Sequence, residues 1–578
     1  MCGISGISGN LVNEEKFIFL SKSFLKRRGP NNFSIKKINN PSSLICHSRL
    51  SIIDLNERSN QPIKSRCGNY LLTYNGELYN FREIKRELIN KGISFYTESD
   101  SEVFLLGLIH YGVKEFLFNK AEGMFAFALH DLDKNEIWLS RDNFGQKPLS
   151  FYFDDTKFLY ASDSRIISKY LDINQVNLSS INGFLCLGYI PSANSFYNKI
   201  TDAIPGAIYC YKNYSNSLKI YKKNQSKKKF FNNIDNSYYE FRDKLIESVE
   251  AVYEADVDVG IFLSSGLDSS LIALISKKIL KKDPLCFSIG YGVRLEEGND
   301  IKEFCKQNQL NLKIFGISKK EASKEFINYP KIYDRPMSDT SCALMSYLSK
   351  RASRFTKCVI SGDGADELFW GYRRYIKYIN FKKFSRLIPN KNFLEKFFIG
   401  KKIWKLFYQN EIDAYFRFSN STNGIIKYDN AKWISNHIVE GDIFEYLPQN
   451  CLVKSDRASM HSSIEIRSPF LSRKLYKCSS NMSLETKKII CKNKLFHRKF
   501  YEELTGKKYY LKEKKGFSFK VEDTESAFPN IFYRSIKLST KFLKVNGYEP
   551  LIISKLSENN IVRWRLFCLG LYLEKLNF

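Results

Sequence analysis

Twice in this 578-residue chain a short apolar run empties into a turn of small and acidic residues, and that repetition constrains the fold more than any other feature. The first run is Val257-Asp258-Val259-Gly260-Ile261-Phe262-Leu263, followed by Ser264-Ser265-Gly266-Leu267-Asp268-Ser269-Ser270 and a helical stretch over 271–280. The second is Lys357-Cys358-Val359-Ile360, followed by Ser361-Gly362-Asp363-Gly364-Ala365-Asp366-Glu367. Short β-branched and apolar runs of this kind read as buried strands. A strand that opens through small residues into a helix start makes a cradle for an anion: backbone N–H groups can close in, and the helix N-terminus favours negative charge. A tight turn with acidic helix caps would explain the geometry of the second unit, but not four small residues interleaved with three acids. Two such units fit a doubly wound parallel sheet with its ligand at the carboxyl ends of the strands. The first turn lacks the Gly-Lys-Ser/Thr ending that grips a γ-phosphate. Its Asp268 is suited to a hard cation such as Mg2+.

A different chemistry opens the chain. Cys2 follows the initiator in Met1-Cys2-Gly3-Ile4, and cysteine is small enough for Met1 to be trimmed. Removal would leave a thiol beside a free α-amine, which titrates at about 7.7–8.0 and can accept the thiol proton. A frayed terminus is the plainer reading of position alone. Three further segments bear on it: Arg49-Leu50-Ser51-Ile52-Ile53-Asp54, Tyr74-Asn75-Gly76-Glu77-Leu78-Tyr79-Asn80 and Glu98-Ser99-Asp100-Ser101-Glu102. Taken singly, Asn75-Gly76 is a good hairpin turn, Arg49 a solvated charge and Asp100 a helix cap.

In that order and spacing, these segments resemble the class II glutamine amidotransferase domain over residues 1–205. The resemblance implies an α+β N-terminal-nucleophile hydrolase sandwich (αββα). It also implies that Cys2 attacks the side-chain amide of glutamine. Asn75 and the Gly76 N–H would form an oxyanion hole. Arg49 would hold the substrate α-carboxylate as a planar fork, and Asp100, with Glu77 or its backbone, the α-ammonium. Residues 206–236 are expected to connect the two halves, the charged stretch from 222 reading as exposed.

From 237 onward the turns resemble the pyrophosphate loop of N-type ATP pyrophosphatases. Joined by Cys451-Leu452-Val453-Lys454-Ser455-Asp456-Arg457, Ile464-Glu465-Ile466-Arg467-Ser468-Pro469-Phe470-Leu471 and Glu513-Lys514-Lys515-Gly516-Phe517, they resemble the synthetase domain of glutamine-dependent asparagine synthetases. That implies an α/β doubly wound parallel-sheet domain over 237–578 with a helical C-terminal part. Ser264, Gly266, Asp268 and Ser269 would bind pyrophosphate and Mg2+. Leu263, Ile289, Ser361 and Gly362 would line the adenylate, Asp363 and Asp366 would act near the adenylated carboxylate and metal, and Lys514 would steady phosphate charge. ATP and Mg2+ are thus the implied cofactors. Glutamine and a carboxylate acceptor are the partners, and released ammonia would reach the acyl-adenylate by an internal tunnel.

The acceptor is left open. Aspartate heads the candidates. Ser265, Ala365, Trp370 and Gln146 depart from the family pattern, and Ile466, Ser468 and Ser472 do so near the expected acceptor. A sugar uronic acid of surface polysaccharide is the alternative, and a degenerate, non-synthetic member a lesser one.

Composition narrows the rest. The formal net charge of +29 invites polyanion binding, but lysines are spread along the whole length rather than gathered in a groove, so no specific nucleic acid is expected. No apolar run approaches the roughly 20 residues that span a bilayer; the longest, such as 184–190, are strand-sized. The amino-terminal residues show no basic-then-apolar pattern, so no signal region is expected. Thirteen cysteines without a Cys-x-x-Cys pair suit the cytoplasm. A homodimer is compatible with the sequence but not determined by it. Residues 375–433 read as helical, basic and aromatic, and the tail from 535 as a packed terminal helix.

Overall fold

The computed structural model describes residues 2–9, 13–39, 42–191, 194–223, 233–291, 295–376, 378, 438–509, 519–549 and 558–576. Its amino-terminal part stacks two six-stranded sheets, with all strand pairs antiparallel. Cys2–Gly9 is an inner strand of the first sheet, and Tyr70–Leu78 and Gly123–Asp131 lie inside the second. Ile4, Ala126, Phe151, Phe158, Tyr160 and Tyr209 fill the space between the sheets. Helices Glu14–Leu25 and Ser164–Tyr170 cover the first sheet; Phe81–Ile89 and Asp100–Tyr111 cover the second. This is the αββα sandwich. With both faces of the first strand covered, strict polar alternation is lost, and small residues take its tightest places: a Cβ on Gly6 would fall 2.4 Å from the Tyr160 ring.

The second part is built on five parallel strands, in the order Asn311–Ile317, Leu285–Tyr291, Val259–Phe262, Cys358–Ile360, Glu465–Arg467. The chain enters at the centre, winds outward to one side, then returns to the other. The switch therefore falls between Val259–Phe262 and Cys358–Ile360, the two strands whose turns the sequence marks. In such a sheet the crevice at the carboxyl ends beside the switch is the ligand position.

Several expectations needed correction. Residues 206–236 are not all connection: Ile208–Lys212 and Ser217–Tyr221 extend the second amino-terminal sheet. The next helix starts at Ile234, capped by the Asn233 side chain. Residues 184–187 belong to the helix Leu178–Leu187. Of the basic stretch 375–433, residues 377 and 379–433 lie outside the described residues. The tail is helical as expected: Pro529–Val545 packs on Asn560–Glu574, with Trp564 and Phe567 buried. That last helix also ties the two halves together, since Arg565 donates to the carbonyls of Leu185 and Cys186. Among the described residues no helix is long and apolar enough to cross a membrane.

Candidate active sites

Cys2 stands opposite Arg49 in the strand register and is 6% exposed. Its backbone N–H donates to Asn75 Oδ1 at 2.9 Å. Asn75 and Gly76 lie in mid-strand rather than in a hairpin turn. With Oδ1 committed to Cys2, the Asn75 Nδ2 is buried without a partner. A Cβ on Gly76 would come within 2.2 Å of the Met124 carbonyl, so only glycine passes there. Burial pushes the Cys2 thiol up; the chain's terminal charge, the Leu50 backbone and Arg49 pull it back. A buried, protonated thiol calls for a base, the role that an α-amine freed by removal of Met1 would fill.

Arg49 is not a solvated charge. It is 5% exposed, and its guanidinium donates to Asn56 O (2.8 Å), Asn60 Oδ1 (3.0 Å) and the carbonyls of Ile53 and Asp54. Asp100 opens the helix Asp100–Tyr111, but Ser99 is its cap. The Asp100 carboxylate instead accepts from Leu78 N–H at 2.9 Å, reaching back to the strand that carries Asn75. Burial lifts its pKa to about 6, with the Leu78 N–H opposing. Cys2, Asn75, Gly76, Arg49 and Asp100 therefore converge. The Glu77 carboxylate turns away, crossing to Arg467 of the second half at 3.2 Å. Burial, then the Glu465 charge, raises its pKa well above the usual carboxylate range.

In the second half the turns after the two switch strands touch. A Cβ on Gly362 would lie 3.2 Å from Asp268 Cβ. Ser264 N–H donates to Ser269 Oγ, and Gly266 N–H to Ser264 Oγ, each at 3.1 Å. The loop's serine hydroxyls thus hold the donors that a phosphate would take. Leu263 N–H donates to Phe287 O, two residues before Ile289 on the neighbouring strand. Ser361 Oγ and Ser455 Oγ both donate to Asp363 Oδ2, at 3.0 and 2.9 Å. Trp370 takes φ 59°, a left-handed conformation that costs a bulky residue on the order of 1–3 kcal/mol.

The residue missed from sequence is Lys494. Its Nζ bonds both oxygens of Asp268 (2.9 and 2.7 Å) and reaches Asp366 Oδ1 at 2.5 Å. Burial pulls the ammonium pKa down, and the two carboxylates more than restore it. The only local signal was its left-handed φ of 54° ahead of the helix Leu495–Thr505, which a sequence does not display. Lys514 lies outside the described residues.

Two pairs of adjacent residues reach both sites at once. In the helix Leu452–Met460, Ser455 touches Asp363 while Asp456 pairs with Arg28 at 2.7 Å, and Arg28 Nε donates to Cys2 O at 3.1 Å. At the last strand, Arg467 meets Glu77 while Ser468 Oγ lies 3.1 Å from Ser361 Oγ.

The Glutamine amidotransferase domain family matches residues 1–222, and the Asparagine synthase family matches residues 240–540. The chain belongs to the asparagine synthase family, as a two-domain glutamine-dependent amidotransferase. It is 27% identical to asparagine synthetase [glutamine-hydrolyzing] 1 of Bacillus subtilis, over 89% of this chain and 87% of that one. It is 29% identical to putative asparagine synthetase [glutamine-hydrolyzing] 2 of Methanocaldococcus jannaschii, over 80% and 98%. To asparagine synthetase B [glutamine-hydrolyzing] of Escherichia coli it is 27% identical, over 66% and 67%.

Proposed function

We propose that this chain is a carbon–nitrogen ligase that hydrolyses glutamine at Cys2 and uses the ammonia to amidate a carboxylate activated as its adenylate, aspartate being the first acceptor to try. The observation that carries the reading is the divided Asn75 amide, one end on the Cys2 backbone and the other buried and unpartnered. In that position Nδ2 and the Gly76 N–H are donors waiting for the oxyanion that forms when the thiolate attacks. The trimmed terminus supplies the base, Arg49 takes the glutamine α-carboxylate, and Asp100 takes its α-ammonium.

In the second half Ser264, Gly266 and Ser269 receive the pyrophosphate, and Leu263, Ile289, Ser361 and Gly362 receive the adenylate. Asp363 faces the reacting carboxylate. Asp268 and Asp366 already bracket a cationic group, Lys494 Nζ, so two hard oxygen donors stand ready for Mg2+. When bound, that ion would neutralise charge on the departing pyrophosphate. Lys494, with Lys514 as second cation, turns to the phosphates when ATP enters. A carboxylate oxygen is a poor leaving group and AMP a good one, so adenylation must precede attack by ammonia.

Ser468 beside Ser361 favours a second reading, in which the acceptor is a hydroxyl-rich uronic acid. Thirteen free cysteines, with no disulfide, fit action in the reducing cytoplasm. The test is product analysis with glutamine and MgATP, plus either aspartate or a sugar uronate. Asparagine, AMP and pyrophosphate in equal amounts support the first reading; amidated uronate supports the second. Glutamate formed without AMP for any acceptor would defeat both.

A further inference from the structure

Between the halves lies a partly open cavity of about 10 Å3, the room that one water-sized sphere requires. The amino-terminal half lines it with Arg141, Gln146 and Asp202, the second half with Arg335, Gln449 and Asp456. Gly145 borders it, wedged so closely that a Cβ would meet Pro205, Arg141 and Pro448 within 3.3 Å.

Its lining is short of acceptors. Arg141 Nε and Nη2 and Gln146 Nε2 are all buried without a hydrogen-bond partner among the described residues, on residues 5% and 6% exposed. Arg335 pairs with Asp202 at 2.6 Å, and Arg457, a third lining cation, pairs with Asp334 and Asp456. Asp456 is also taken by Arg28. Asp142, next in sequence to Arg141, spends its oxygens on the backbone N–H groups of Phe125, Phe144, Gln146 and Lys147. Asp334, behind the lining, pairs with both Arg335 and Arg457, so Arg141 is left as the lining guanidinium with no carboxylate within ion-pair distance among the described residues. A buried charge left so is costly unless something pairs with it. Water would meet the donors as well, but it brings no negative charge to set against Arg141.

We propose that this cavity binds one small monovalent anion, a halide such as chloride, held by Arg141 and Gln146. The ion accepts only, matches the missing charge and fits a single-sphere space; a carboxylate or phosphate is too large. It clamps the seam across which the two active sites face each other, and it requires neither glutamine nor ATP.

Crystals grown with bromide in place of chloride test the site directly. An anomalous peak in contact with Arg141 and Gln146 is expected, and a cavity holding only water overturns the proposal. In solution, melting of the full chain is compared in sodium chloride and sodium gluconate at equal ionic strength. A saturable rise in Tm with chloride is expected. Gln146→Leu should shift the half-saturating chloride at least tenfold upward. Gln146→Glu, which supplies its own anion, should melt higher than the unsubstituted chain in gluconate and lose the chloride response. Equal melting in the two salts, or an unchanged chloride response in Gln146→Glu, would refute the site even if the leucine variant fails to fold.

Discussion

The two candidate active sites are made differently. Around Cys2 the working groups sit on strands paired in register, with Cys2 opposite Arg49 and Asn75 opposite Ala126, and their partners are mostly backbone atoms. Around Asp268 they sit on turns, and those turns satisfy one another through serine hydroxyls and an ammonium brought from another helix. A sheet-borne site is preorganised, with donors aimed before the substrate arrives. A turn-borne site fills its own vacancies, and a ligand arriving there would have to displace those contacts.

The sharpest way to separate the two is Cys2→Ala. It should lower glutamine-dependent product on the order of 10^4-fold or more, while synthesis from added ammonium stays within a few-fold; loss of both activities would mean the halves are not separable. Asn75→Ala should cut glutaminase turnover by about 10^2–10^3-fold with little change in KM, since its Nδ2 is needed only as the oxyanion forms. A change confined to KM would remove the oxyanion role.

Lys494→Met tests the other half. It leaves Asp268 and Asp366 facing each other without their cation, at a cost of about 3–5 kcal/mol. The variant should lose AMP formation, and Mg2+ should raise its Tm more than that of the unsubstituted chain. Equal Mg2+ shifts in the two proteins would show that the carboxylates do not share a cation.

The smallest effect concerns pH. Asp100 has a raised pKa, so the native state holds its proton more tightly than the unfolded chain does. Its contribution is full below about pH 4 and is lost as pH rises through about 6. Asp100→Asn should therefore flatten stability across pH 4–6 by about 1–3 kcal/mol in urea melts. An unchanged slope would place Asp100 in a more solvated setting than its 5% exposure indicates.

Much of this was legible beforehand. The strand-and-turn pairs around 264 and 361 specify a parallel sheet because apolar runs and small turn residues act on their own backbone. The Asn75-Gly76 pair misleads when read alone, since the same dipeptide that makes a hairpin also lets a strand pass against Met124. The two extra strands at 208–221 were hidden because the lysines and asparagines around them looked like a linker. Glu77 or its backbone was expected beside glutamine, and the structure pairs its carboxylate with Arg467 across the seam.

What the sequence determined by itself is therefore the chemistry carried within a few residues: a thiol directly behind Met1, a glycine that permits close approach, acids set in small-residue turns. What only the tertiary structure decided is which distant charges meet. Lys494 lies 226 positions from Asp268, and Asp456 428 positions from Arg28. Turn chemistry follows from local dihedral angles and neighbouring N–H groups. Pairing of buried charges follows from how two sheets and a helix stack, because each charge removed from water must find its partner wherever packing leaves one.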